Sequence, residues 1–500
     1  MSGRKILCNM FGLDWRSLAL MRIGLAAIVL ADVIYCVVHA QALFTDDGAV
    51  PRGAVTAFTP PSFFSIHMLG GGLTFELALF TVEIICALMM LVGYRTRFAT
   101  VVCWFLVNSR QARNPIILFG ADIIIRIMLF WAMFLPLNRR YSLDALQGRV
   151  PPPTKPCYLG LAGFGAIVQF LLIYVLSGLL KNGDQWRVDH TAVYYALAIE
   201  MYGRPLGAWL DQFDQVTAAL TVFTLYLEIY APILFILPLG SKWGRLLGFA
   251  IFTGLQISFG ITMQMGLFWI VMIVANFLLL PAEFWTWFVE PMGLFFAVKL
   301  PRLLQPWQKL RERLHRPAPA PVSLKNPIRT YFSLGFRVVR DGFLAFVIFL
   351  VSYVNFSEFL PQPYQISGKL YQINEVLGLH QYFNLFAPYP QYDDGWVVMR
   401  GILNDGTEVE LQTGAPFSVA KPANVADTYG DEKWASLLLD LCLDDYRDYR
   451  ASFVFYMARQ WNDAHPPDQQ VQHIELIYMH QMNGPNHTKT APEAIILSLQ

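Results

Sequence analysis

Apolar residues in this chain gather into long, nearly unbroken runs separated by short polar loops. A helix rises 1.5 Å per residue, so roughly 20 apolar residues cross a hydrocarbon core about 30 Å thick. Runs of that kind cover 17–38, 72–94, 98–110, 116–136, 160–180, 216–239, 243–260, 264–284 and 342–360, which predicts about nine spans. The third and seventh are short for a crossing, as expected of tilted, broken or re-entrant segments buried in protein or lining a wet cavity. The first run starts near Ser17 and lacks a small-x-small cleavage site, so it reads as a retained helix rather than a signal peptide. From Leu360 the pattern changes to strand-like alternation. Trp396 to Leu403 and Thr407 to Leu411 flank Asn404-Asp405-Gly406, the signature of a β-hairpin. Residues 433–462 read as helix and 471–480 as a last strand. The expected fold is an all-α polytopic membrane bundle with a C-terminal extracytoplasmic α+β domain. Its divisions are a transmembrane domain over 1–290, a basic, proline-containing cytoplasmic linker over 291–341, a last helix over 342–360 and an outer domain over 361–500.

Composition strengthens this reading. With 55% apolar and only 15% charged residues, a 500-residue chain has more apolar surface than one water-soluble globule can hide. A net charge of +1 gives no field that would attract nucleic acid. The six cysteines form no CxxC pair and suggest neither a disulfide framework nor a zinc site. Charge is informative locally. Arg4, Lys5 and Arg16, then Arg95 and Arg97, then Arg139, Arg140, Arg149 and Lys155, then Lys242 and Arg245 all fall on one side of a nine-span chain, as does the run from Lys299 to Arg340. The positive-inside rule makes that side cytoplasmic and places the C-terminal domain outside. The basic run, broken by Pro317, Pro319, Pro321 and Pro327, reads as a topology-setting linker over anionic headgroups.

Ionisable residues inside spans are expensive and become functional candidates. Those singled out are Arg22, Asp32, Glu76, Glu83, Asp122, Arg126 and Glu228. Asp122 and Arg126 stand four apart on one helix face and are expected to pair. Arg22 lies near the cytoplasmic end, where snorkelling would account for it. Lys181 closes the fifth run in Ser177-Gly-Leu-Leu-Lys181. A snorkelling lysine explains it, whereas a partly desolvated one can serve as a base. Trp186 fits an interfacial anchor, and His67, His380, Trp396 and Trp461 fit core positions.

Several stretches resemble a known group. They are Gly93-Tyr-Arg-Thr-Arg97, Ser109-Arg-Gln-Ala-Arg-Asn-Pro115, Gly120-Ala-Asp122, Arg126, Phe134 to Asp144, Ser177 to Lys181 and Gly266-Leu-Phe268. Leu379-His-Gln381, Phe386-Ala-Pro388-Tyr-Pro390 and Asp394-Gly-Trp396 extend the likeness into the outer domain. Together they resemble the bacterial horizontally transferred transmembrane (HTTM) domain family, related to the vitamin K-dependent gamma-carboxylase. The resemblance implies that Lys181 occupies the place of the base that deprotonates a reduced quinone. It also implies a departure, because Gln256 stands where the carboxylase has a histidine, and glutamine takes no proton at neutral pH.

Two function classes follow. One is a membrane enzyme using a reduced quinone at the outer interface, with Lys181 as base and Asp32, Glu83, Asp122, Arg126, Glu228 and Gln256 as supporting polar groups. The other is a non-enzymatic scaffold or assembly factor whose outer domain binds a protein or peptide partner while buried charges hold the helices. A transporter fits less well, since the chain shows no internal repeat. The lipid bilayer is the one partner common to all, and no metal or nucleic acid is called for.

Overall fold

The computed structural model describes residues 3–58, 64–292, 312–314, 327–360, 368–381 and 385–499. Its principal helices are α1 (Trp15–Val38), α2 (Leu73–Val92), α3 (Thr96–Arg113), α4 (Gly120–Phe134), α5 (Leu161–Leu180), α6 (Asp214–Tyr230), α7 (Ser241–Thr262), α8 (Phe268–Asn276) and α9 (Pro327–Phe356). Among the described residues, five stretches are long and apolar enough to cross a membrane: α1, α2, α5, α7, and α6 with its continuation to Ile236. A sixth arises if Phe268–Leu279 and Ala282–Met292, bent by 100° to each other, count as one span. Leu280-Pro281 makes that break, since the residue before a proline avoids the helical region, and Leu280 sits at ψ 124°.

The other expected spans take different forms. The third is an 18-residue helix carrying Arg97, Arg110 and Arg113, and the fourth is only 15 residues long. The seventh, expected to be short, is the 22-residue α7. The ninth is the second half of α9, a helix of 30 residues. Most of the basic linker lies outside the described residues.

One end of the bundle gathers the basic loops. Asp144 accepts from the Arg95 and Thr96 amides, Arg245 donates to the carbonyls of Met10 and Gly12, and Leu13 bridges to Tyr158. Arg22 does not snorkel. It is fully buried and donates to the Tyr141 carbonyl at 2.6 Å, because the 135–160 loop folds over the helix end and supplies an acceptor. Cys8 and Cys157 at this end form a disulfide, 149 residues apart, which no cysteine spacing signalled.

The opposite end carries the C-terminal domain. There, helices α10 (Gly368–Val376), α11 (Glu432–Cys442) and α12 (Arg447–Ala464) accompany strands β1 (Asp393–Leu403), β2 (Glu408–Glu410), β3 (Val471–Met482) and β4 (Glu493–Leu499). The sheet is antiparallel in the order β2-β1-β3-β4, with the expected hairpin joining β1 to β2. The single helix expected over 433–462 is two, separated at Leu443–Tyr446.

This domain is not a separate globule. One apolar cluster unites Val33, Phe44, Phe80 and Ile116 of the bundle with Trp396, Leu437, Phe453 and Leu476 of the C-terminal domain. Residues 374–381 push into the bundle itself, where Leu379 is fully buried and Gln381 accepts from Gln169 at 2.7 Å. Gly378, at φ +66°, makes this insertion fit, since a Cβ there would collide with the Asn108 side chain.

Candidate functional site

The first turn of α11 locks the C-terminal domain onto the bundle. Asp431 is the N-cap and accepts from the Lys433 and Trp434 amides, which satisfies donors a helix start leaves orphaned. Its carboxylate also takes the Tyr35 hydroxyl of α1 at 2.6 Å. Glu432, the next residue, accepts from the Leu267 amide at 2.8 Å. Lys433 reaches between helices to Asp122 at 2.9 Å and Asp32 at 3.2 Å. Three consecutive side chains thus grip three different bundle segments.

Behind Lys433 the charges continue inward. Arg110 Nη2 donates to Asp32 at 2.5 Å and to Glu83 at 3.3 Å, and its Nη1 contacts Cys36 Sγ. All five charged groups are nearly free of solvent. Three carboxylates share two cations, an arrangement that holds only because each group has a partner at hydrogen-bond distance. One carboxylate oxygen of Glu83 finds no partner among the described residues.

The expected Asp122–Arg126 pair does not form. Asp122 is taken by Lys433, whereas Arg126 donates to the His380 carbonyl at 2.9 Å and to Gln111 Oε1 at 3.4 Å. Gln111 in turn donates to the Asp122 backbone carbonyl, so a hydrogen-bond chain through Gln111 links the two residues. The cause is the inserted 374–381 segment and α11, which offer each residue a better-placed partner. Glu76 and Glu83, on one helix face, also go separate ways: Glu76 pairs with His67, which is buried with it, while Glu83 joins Arg110.

Lys181 is buried rather than snorkelling. Its Nζ donates to Ser177 at 2.6 Å and to Glu228 at 2.5 Å, and lies 5.1 Å from the Trp186 ring centroid. Glu228 therefore acts as the counter-ion across α5 and α6. Two turns inward on α5, the Tyr174 hydroxyl accepts from Gln256 of α7 at 3.2 Å.

Beside the α11 cluster opens a cavity of about 460 Å³, lined by Asp32, Tyr35, Asp122, Arg204, Gln264 and Asp431 to Lys433. Its size is that of a small-molecule site. Burial, with Asp122 nearby, pushes the Glu432 carboxyl up to about 8. One of its oxygens, Oε1, has no partner among the described residues. Lys433 is affected the other way: burial opposes its charge, but Asp122 and Asp32 outweigh that and hold it well above the usual lysine range. The cavity wall therefore holds a carboxyl whose proton affinity burial and Asp122 raise, beside a lysine kept cationic by Asp122 and Asp32. Gly266, at φ +50°, packs directly on the Glu432 carboxylate, where a Cβ would collide.

Sequence reasoning missed Glu432, Lys433 and Arg110. A usable signal existed, because the spans hold more carboxylates than cations, and buried charge must be compensated from somewhere. Among the described residues, no group of His, Cys, Asp and Glu is arranged to hold a metal ion. Compared with known proteins, the chain matches no family model, no curated protein and no solved structure.

Proposed function

We propose that the protein is a membrane-embedded enzyme that moves protons to and from a small ligand held between the bundle and the outer domain. The observation that carries this reading is Glu432. It lines the cavity, is held in place by the Leu267 amide, and has its proton affinity raised by burial and by Asp122, which makes it a better base than an ordinary carboxylate and suits general acid–base work. Lys433, cationic beside it, would stabilise negative charge developing on the ligand. The resemblance to the HTTM and carboxylase group suggests a reduced quinone as that ligand, whose hydroxyl must lose a proton before it reacts with oxygen. On the positive-inside argument the cavity faces the extracytoplasmic side of a bacterial plasma membrane.

In this reading the proton-exchanging role falls to Glu432. Lys181, ion-paired to Glu228, ties α5 to α6. The test supplies purified protein with a reduced quinone and oxygen and follows oxygen uptake. Glu432→Gln keeps the acceptor for Leu267 but cannot exchange a proton, so it should remove turnover at an unchanged melting temperature. Full turnover in Glu432→Gln together with loss in Lys181→Arg would return the base to Lys181. No uptake in the native chain, with any quinol, would leave the scaffold reading ahead.

A further inference from the structure

The Cys8–Cys157 disulfide ties the short helix Gly3–Phe11 to the loop 151–157, Pro-Pro-Pro-Thr-Lys-Pro-Cys. Both cysteines are partly exposed, and so are most of their neighbours: Arg4, Lys5 and Leu7 on the helix, Thr154, Lys155 and Pro156 on the loop. Cys36, Cys86 and Cys103, by contrast, are buried in the bundle. A small opening of either exposed segment brings the bonded sulfurs to solvent. The surrounding Arg4, Lys5 and Lys155 would attract the thiolate of an approaching reductant.

The compartment is the second observation. The same end of the bundle gathers Arg95, Arg97, Arg149 and Lys242, which on the orientation proposed above puts it in the cytoplasm. Cytoplasmic thiol buffers keep cysteines reduced, and a disulfide found there is characteristically transient, serving catalysis or redox sensing. The packing suits a bond that opens and closes. Asn9 donates to the Pro238 carbonyl at 3.2 Å, and Arg245 donates to the carbonyls of Met10 and Gly12 at 2.8 and 2.6 Å. Leu13 and Tyr158 exchange backbone hydrogen bonds at 2.9 and 2.8 Å, and Trp15 donates to the Lys155 carbonyl at 2.8 Å. None of these contacts needs the disulfide. They hold the two cysteines near each other when the bond is open, so that it can form again.

We infer that Cys8–Cys157 is a reversible redox clasp, opened by a cytoplasmic dithiol and closed by a low-molecular-weight disulfide, that decides whether the helix Gly3–Phe11 and the loop 151–157 are joined. The inference rests on the cytoplasmic placement of this end. In opening, a thiolate of the dithiol attacks one sulfur and forms a mixed disulfide, which its second thiol then displaces. Two electrons and two protons pass to Cys8 and Cys157, and the dithiol leaves as a cyclic disulfide. In closing, the two cysteines return them to the small disulfide, which leaves as two thiols.

The test counts thiols in cells making the full-length protein. Cells are quenched in acid, and the denatured protein is alkylated with a mass-tagged maleimide and resolved by gel shift. Growing cells should give six tags, one per cysteine, and cells treated with the thiol oxidant diamide should give four. Cys8→Ser with Cys157→Ser should give four in both states. On the purified native protein, tris(2-carboxyethyl)phosphine should speed amide exchange roughly tenfold over 3–8 and 151–157, while Met10 to Leu13 stay protected. Four tags in growing cells would make the bond a static brace and overturn the proposal, as would exchange unaffected by reduction. Spheroplasts separate the two failures. Where a membrane-impermeant phosphine and maleimide add two tags at Cys8 and Cys157 in unbroken spheroplasts, this end lies outside, and the orientation fails together with the clasp.

Discussion

Replacing Lys433 by methionine tests whether the C-terminal domain is held to the bundle by charge. In the native chain the Lys433 ammonium lies 2.9 Å from Asp122 and 3.2 Å from Asp32, with all three side chains buried. Lys433→Met leaves Asp122 with the Phe119 amide at 3.0 Å and Asp32 with Arg110 alone. Removing one partner of a buried ion pair costs about 3–5 kcal/mol, because the remaining charge is uncompensated. Asp122→Asn should also destabilise, since it takes one of two counter-ions from Lys433. The double change removes one charge of each sign and should cost less than the sum of the two single changes, by about 1–3 kcal/mol. Melting temperatures of the four proteins in one detergent give the order of stability, and hydrogen–deuterium exchange locates the effect. In Lys433→Met, exchange should rise in the α11 peptides while those of α5 and α7 stay protected. Additive melting shifts with unchanged α11 exchange would show that the apolar contacts around Leu437 dock the domain unaided, and the reasoning from charge would fail.

Four further outcomes are expected. Glu432 ordinarily titrates near 4.5 and is raised to about 8 in the fold, so the folded state holds more protons between those values. Its stabilising contribution is complete below pH 4.5 and is lost as the pH climbs through 8, at no more than about 1.4 kcal/mol per pH unit, and thermal melts across that range should show a shallower slope in Glu432→Gln. Gly266→Ala should drive the Glu432 carboxylate from its seat and lower the melting temperature; an unchanged protein would mean that the 264–268 turn is free to move. Gly378→Ala combines a positive φ with a collision at Asn108 and should destabilise by more than about 1 kcal/mol, seen as raised exchange over 374–381. Asp122→Asn with Arg126→Leu should show weaker thermal coupling than Asp122→Asn with Lys433→Met, because the first pair is linked by hydrogen bonds through Gln111 whereas the second is in direct contact at 2.9 Å; equal coupling would contradict the connectivity.

What the sequence determined is local. Unbroken apolar runs at helical length imply a lipid-facing bundle, and five helices of that length and character are present among the described residues. The alternation around Asn404-Asp405-Gly406 specifies a hairpin because turn type and side-chain period are both short-range properties. The intramembrane carboxylates were also legible, since an apolar run interrupted by Asp32, Glu83 or Asp122 stands out without any structure. Their partners were not. Lys433 lies 311 residues from Asp122, in a segment that reads as an ordinary amphipathic helix, and only docking of α11 brings it to the membrane end. The four-residue spacing of Asp122 and Arg126 permits a pair but cannot exclude better partners, and the inserted 374–381 segment supplies one for Arg126. Lys181 shows the same division: its place at a helix end suggests snorkelling, yet Glu228, arriving on α6, makes burial affordable. Helix length and turn chemistry are decided by neighbours in the chain, whereas charge compensation, cavities and proton affinity are decided by what packs alongside, which a linear pattern does not contain.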